Sequence, residues 1–275
     1  MEWHRVKTIL IALFSIINIG LLLNITYTDY ALKNISDKTL EDIVHVMEER
    51  GVLIDKKIIP AKKIEMKKFV LGTSVEKESA LAAGIFKFEE SFVDAEGALV
   101  FEGGKNNLRL FDGINIDFLG EYITEGFSMD EQSAIKIAKQ FAEKMNPDGI
   151  LLEMLDVIES PDGYEVIYSQ TRDGVRIETS RLVIEILQNG IFKAGGNFIY
   201  ADIDAGTSLG LNDPLSALVN SLSYLQDTQI QSIDFGYVHM KQSSSYLLMP
   251  VWIVADKDMT IYFDVETGER LILND

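Results

Sequence analysis

Cysteine is absent from this sequence. No disulfide, thiolate zinc site or cysteine nucleophile can be built from it. The lack does not decide the compartment, because an exported protein with a large enough core does without disulfides. Histidine is nearly as scarce. His4, His45 and His239 stand far apart and no H-E-x-x-H occurs, so the chain offers neither a histidine ligand pair nor an obvious serine-activating base. Prolines number five and no low-complexity run is present, which argues against a long disordered region. Positive charge is short as well: 25 Lys+Arg stand against 43 Asp+Glu, a net charge of −18. Beyond residue 25 the balance is 23 against 42. A body this acidic suits neither nucleic-acid phosphates nor anionic lipid headgroups.

The usual catalytic signatures are missing too. There is no G-x-S-x-G elbow, P-loop or dinucleotide fingerprint. Gly103-Gly104-Lys105 and Gly195-Gly196-Asn197 read as turns, and Ser243-Ser244-Ser245 reads as a loop. Asp202-Ile203-Asp204 and Asp256-Lys257-Asp258 have the spacing of calcium ligands, but lack the bidentate Glu at the end of such a loop. They read as solvated turns. No cofactor or metal is expected, and the residues argue for a binding or sensing module rather than an enzyme.

What the chain does have is one long run without charge, Thr8 to Ile25. Eighteen helical residues span about 27 Å, close to the hydrocarbon thickness of a bilayer. Trp3 precedes the run and Tyr27 and Tyr30 follow it, as an aromatic belt would place them. Arg5 and Lys7 lie before it, while Asp29 precedes the next lysine, Lys33. The positive-inside rule then puts the N-terminus in the cytoplasm and the body outside the cell membrane. A cleaved signal peptide would have a shorter apolar core and an A-x-A-like site; Leu22-Leu23-Asn24-Ile25-Thr26-Tyr27 has none. At 100° per residue, Thr8, Ser15 and Asn18 fall on one face, and Asn18 lies near mid-bilayer. This stripe is the candidate surface for a partner helix.

The body reads as α+β. Ser36-Asp37 opens a helix with Leu40, Ile43, Val44 and Met47 on one face, stopped at Gly51. Ser128-Met129-Asp130-Glu131 reads as a capping box for a second, ending at Asn146-Pro147-Asp148-Gly149. Asp213-Pro214 opens a third, with a stripe from Leu215 to Leu225. After the second helix come strands at 150–158, 164–170, 175–187 and 191–203, divided by Pro161-Asp162-Gly163, Arg172-Asp173-Gly174 and Asn189-Gly190. After the third come strands at 230–240, 247–255 and 259–264. Earlier strands are expected near 57–62, 67–72, 84–101 and 108–120. Ser128 and Asp213 start comparable helices 85 residues apart, which suggests a repeated helix-plus-sheet unit. The expected organisation is a cytoplasmic stub (1–7), a transmembrane anchor (8–27), a first extracellular α+β region (28–127), and helix-plus-sheet units at 128–206 and 207–275.

The start Met1-Glu2-Trp3…Lys7-Thr8-Ile9, running into an Asn-containing span, resembles the YycI (WalI) family of membrane-anchored regulators. Tyr164-x3-Tyr168-x-Gln170-x3-Gly174-x-x-Ile177 and Phe263-Asp264-x2-Thr267-Gly268 are similar to the PepSY-type units of YycI and YycH. The longer protein YpeB, which also has an anchor and PepSY-like units, is a weaker match. The YycI resemblance implies a non-enzymatic protein that acts through its membrane helix and extracellular domain. Its partners would be a YycH-like anchored protein and the WalK (YycG) sensor histidine kinase of the WalK–WalR (YycG–YycF) two-component system, which controls cell-wall metabolism in Gram-positive bacteria. The alternative is a PepSY-type inhibitor or binding module for an extracytoplasmic peptidase or wall hydrolase.

Overall fold

The computed structural model describes residues 3–121, 130–242 and 245–273. In chain order its elements begin with helices α1 (Trp3–Lys33) and α2 (Asp37–Glu49), strands β1 (Val52–Ile54) and β2 (Ile64–Gly72), and helix α3 (Val75–Ile85). A meander follows: β3 (Glu90–Val93), β4 (Leu99–Gly103), β5 (Asn106–Phe111) and β6 (Asn115–Glu121). Helix α4 (Glu131–Met145) leads into β7 (Leu151–Ser160), β8 (Gly163–Arg172), β9 (Val175–Arg176), β10 (Arg181–Leu187) and β11 (Ile191–Asn197). Strands β12 (Asp202–Ile203) and β13 (Thr207–Asn212) come next, then helix α5 (Leu215–Ser221). Last are β14 (Thr228–Ile230), β15 (Ser232–Gln242), β16 (Ser245–Ala255), β17 (Thr260–Asp264) and β18 (Arg270–Leu271). The fold is α+β with mainly antiparallel sheets. Among the described residues a helix followed by an antiparallel meander occurs twice in the main sheet, opened by α3 and α4.

The chain forms two compact units. One holds Met1–Met66, Leu209–Asp234 and Ile253–Leu271. In it β1 pairs in parallel with β14, Leu53 opposite Gln229. Strands β17 and β18 pair antiparallel, and Tyr224, just past α5, packs on Phe263 with ring centroids 6.4 Å apart. Helix α2 is amphipathic in the expected register. Ser36 caps it by accepting from the Thr39 N–H, and Leu40, Ile43 and Met47 are buried.

The other unit holds Lys67–Ser208, Phe235–Trp252 and Ile272–Asp275. Its main sheet has the strand order β3-β4-β5-β6-β11-β10-β8-β7, with β9 beside β8. The two meanders therefore run in mirror order and meet at their last strands, β6 and β11, with Phe118 opposite Ala194 and Gly120 opposite Phe192. Alternation sets the buried face. Ile116 and Phe118 on β6, and Leu182, Ile184 and Ile186 on β10, point to one core. Helices α3 and α4 cover that face through Ala82, Ala134, Ala138, Phe141, Ala142 and Met145. Phe118, Phe141 and Phe192 pack with ring centroids 5.0–5.2 Å apart. The ring of Phe118 lies where a Cβ on Gly120 would be, 2.4 Å from its Cζ, so this strand position tolerates no side chain.

Several expectations change. No strand forms at 57–62; a short 3-10 turn covers Lys56–Ile58, and Lys62 makes only a bridge to Asn34. Residues 75–85, assigned in part to a strand, are helix α3. Ser74 caps it on the Lys77 N–H, Glu76 and Glu78 sit in the first turn, and alanines fill its interior. The N-cap of α4 is Asp130, which accepts from the Ser133 N–H at 2.8 Å; Ser128 lies outside the described residues. Helix α5 stops at Ser221 instead of continuing to Leu225, and Asp213 serves its start by accepting from the Leu215 N–H at 3.1 Å. Gly195 and Gly196 are not a turn but the interior of β11, where a Cβ on Gly196 (φ 138°) would fall 2.2 Å from the Arg181 carbonyl oxygen. The strand expected over 191–203 ends at Asn197, and the next four residues, Phe198 to Ala201, are buried outside any strand.

Candidate functional site

The first candidate is the polar stripe of α1. The side chain of Thr8 lies outside the described residues, as do those of 4–6, 9, 12 and 29. Ser15 turns its hydroxyl onto its own helix, donating to the Ile11 carbonyl at 2.9 Å. That geometry satisfies the hydroxyl within one turn and leaves little for a neighbour. Asn18 is exposed and has no hydrogen-bond partner among the described residues. Of the three residues on the stripe, Asn18 is thus the one shown with free donors and acceptors. Around it the apolar side chains are bare. From Leu10 to Ile25 every described Leu, Ile and Phe is 50–68 % exposed. Trp3 and Tyr27 are also exposed, and the Lys7 ammonium lies 5.5 Å from the centre of the Trp3 ring. Among the described residues no helix is long and apolar enough to cross a membrane.

The second place to look is the PepSY-like pattern. Tyr164, Tyr168 and Gln170 lie on β8, Gly174 turns from β8 to β9 with φ 78°, and Ile177 is fully buried just past β9. Gln170 has no exposed surface and uses its whole amide. Its Nε2 donates to Asn146 Oδ1 and to the Ile199 carbonyl, both at 2.8 Å. Its Oε1 accepts from the Ser180 hydroxyl at 2.8 Å and from the Ile199 N–H at 2.9 Å. Ile199 belongs to the buried segment that left the strand, so one side chain supplies what a neighbouring strand would have supplied. The second PepSY-like stretch is also structural: Asp264 Oδ1 accepts from the N–H groups of Glu266 and Thr267 and holds the turn to Gly268.

Three titratable groups with shifted pKa values and partners in the fold remain, Glu78, Tyr200 and the half-buried His239. Glu78 on α3 accepts from the Tyr200 hydroxyl at 3.2 Å, and that oxygen in turn accepts from the Gly113 N–H at 3.0 Å. Burial pushes the Glu78 carboxyl above the ordinary carboxylate range, and the nearby Asp112 charge adds to this. Burial, reinforced by Glu78, pushes the Tyr200 phenol upward as well. Glu78 and Tyr200 are 122 positions apart, so nothing local in the sequence announces the pair. His239 on β15 meets the Thr179 hydroxyl through Nδ1 at 2.7 Å, and burial lowers its pKa to about 4. It is therefore a neutral, held ring at ordinary pH. His45 is an exposed neighbour of Glu49 at 3.2 Å.

The acidic turns do structural work. Asp204 Oδ1 accepts from the Val70 and Gly206 N–H groups, and Asp202 pairs with Lys77. Asp256 accepts from the N–H groups of Asp258 and Met259 and from the Thr228 hydroxyl. Among the described residues no cluster of three His, Asp or Glu side chains could hold a metal ion.

No family model and no curated protein matches the chain. Among solved structures, the C-terminal domain of YpeB from Bacillus megaterium aligns at 11% identity with a TM-score of 0.33, over 86% of this chain and 96% of that one. YycH from Bacillus subtilis aligns at 12% identity with a TM-score of 0.35, over 74% of this chain and 54% of that one. Overlap this small does not define the fold, which rests on the strand pairings above.

Proposed function

We propose that this chain is a non-enzymatic, membrane-anchored regulator with its N-terminus in the cytoplasm and its acidic body outside. The observation that carries the reading is α1: a 31-residue helix whose described apolar side chains from Leu10 to Ile25 are bare among the described residues. Bare apolar surface on that scale is stable only against lipid or another helix. The body supports a binding role, since its buried Gln170 and Glu78 and the half-buried His239 are engaged in holding the fold together. The N-terminal residues that resemble YycI make a WalK-like sensor histidine kinase and a YycH-like anchored protein the partners of choice. Asn18 is the contact we assign within the bilayer, where an interhelical amide hydrogen bond contributes about 0.6–2 kcal/mol. A regulator of this kind changes kinase output only through different affinity for the two signalling states.

The test is a membrane pull-down of the full chain beside Asn18→Leu, Ser15→Ala and a soluble 28–275 form. Recovery of a histidine kinase and a second anchored protein by the full chain and by Ser15→Ala, with loss in the other two, supports the reading. Recovery of a peptidase or wall hydrolase by the soluble body, with no kinase, replaces it with the PepSY-type inhibitor.

A further inference from the structure

The main sheet ends at β7, and that edge is unusual in three respects. It is long, ten residues from Leu151 to Ser160, and among the described residues only β8 pairs with it. It exposes large apolar side chains: Leu151 is 64 % exposed, Met154 47 %, Leu155 40 % and Ile158 44 %. Its charge has one sign. Between Lys144 and Arg172 the chain has no basic residue, while Glu153, Asp156 and Glu159 lie on β7 itself. Edge strands that must stay alone are usually short, twisted away or studded with lysine. This one carries a single bulge, at Leu155, and one local cap, Asp156 accepting from the Val157 N–H at 2.8 Å. On each side of the bulge an extended stretch of backbone remains open.

We infer that β7 is a docking edge that takes an extended, basic polypeptide segment by strand addition. Main-chain groups left unpaired on the outer side of β7 supply the hydrogen bonds, and alternate side chains supply the selection. In the register with β8, Glu153 and Asp156 share one face of β7 with Leu151 and Ile158, while Met154 and Glu159 lie on the other. A segment alternating lysine or arginine with branched apolar residues would set its charges against Glu153 and Asp156 on the first face and its apolar side chains beside Met154 on the second. A second copy of this chain fits poorly, because pairing β7 with β7 would bring six carboxylates together without a counter-charge. The other edge, β3, is four residues long. The inference concerns the body alone and stands or falls independently of what α1 inserts into.

The experiment uses the full chain in a neutral detergent and three labelled probe peptides as long as β7. One alternates lysine and valine, one alternates glutamate and valine, and one is the lysine–valine peptide N-methylated at every amide, which keeps its charge but has no N–H to pair as a strand. Anisotropy should show the first binding about tenfold or more tighter than the other two. Hydrogen exchange should slow at 151–160 when it binds. Glu153→Lys/Asp156→Lys/Glu159→Lys should transfer the preference to the glutamate–valine probe. If that variant does not fold, Glu153→Gln/Glu159→Gln should still weaken the lysine–valine probe severalfold. Equal binding of the N-methylated probe, or protection that falls outside 151–160, overturns the proposal. So does concentration-dependent protection of β7 without any probe, which would make the occupant a second copy.

Discussion

Replacing Gln170 by leucine should unfold this protein more readily than any surface substitution. The reasoning starts from Ile199, which is fully buried but lies outside the strands, so its N–H and C=O have no ladder partner. The Gln170 amide supplies both, at 2.9 and 2.8 Å, and also satisfies the Ser180 hydroxyl. Leucine fits the volume but leaves these three buried groups unpaired. Asn146 is only half-buried and can turn to water. A buried group stripped of its partner costs about 1–3 kcal/mol, and leucine returns about 1 kcal/mol of apolar burial. The net expectation is a loss of about 3–5 kcal/mol. Urea denaturation of the full chain in neutral detergent measures it, with fluorescence of buried Trp252 as the probe. The midpoint should fall with little change in slope. Gln170→Glu adds a directional check. Its carboxylate can accept but not donate, so the fold favours the protonated form and raises its pKa; stability is then fullest in acid and is lost as pH rises through the folded pKa. If Gln170→Leu stays within about 1 kcal/mol of the parent, water or repacking replaces the amide and the reasoning is wrong.

Glu78→Gln should stabilise the protein at neutral pH and lose that advantage in acid. The buried Glu78 carboxyl has a raised pKa, so its contribution is fullest below the ordinary carboxylate range and falls as pH rises through the folded value; melting curves across pH check this. His239 acts in the opposite direction. Its pKa is lowered to about 4, so its contribution is present above the ordinary histidine value near 6.5 and is lost as pH falls through about 4. Over that window it accounts for about 3 kcal/mol, and His239→Gln should flatten the acid limb of the stability curve by that amount. Gly196→Ala should cost about 3 kcal/mol or more, because the new Cβ meets the Arg181 carbonyl at 2.2 Å in a backbone region suited to glycine; calorimetry reads it as a lower Tm.

Much of the architecture was legible where a single face is buried. The stripe Leu40, Ile43, Met47 gives α2, and the alternation of Arg181–Leu187 gives β10, because in both the residues that look apolar are the ones that pack. Helix α3 was not legible in that way. Its alanines weaken the apolar stripe, leaving Ser74 with Glu76 and Glu78 as the remaining sign of a helix start. The four residues after Asn197 misled for a different reason. Phe198 to Ala201 have the composition of a strand, but their backbone partners are Ile114, Gly113 and the Gln170 side chain, a tertiary outcome that no local pattern encodes.

The candidate sites divide along the same line. Periodicity placed Ser15 and Asn18 on one face, and spacing alone treats them alike. The atoms separate them: a serine can reach the carbonyl one turn back and does, at 2.9 Å, whereas Asn18 is left with its amide free. A polar stripe in an apolar helix is therefore an upper limit on what a partner can use, because short hydroxyl side chains are satisfied within their own turn. The edge β7 shows the converse. Its residues alternate too little to declare which face is buried, and its openness follows from strand order, which depends on β8 lying between it and β10. Nothing in Leu151–Ser160 could announce that, although Glu153, Asp156 and Glu159 stand in plain view in the sequence. Net charge gains a specific meaning once topology shows which backbone the charges flank.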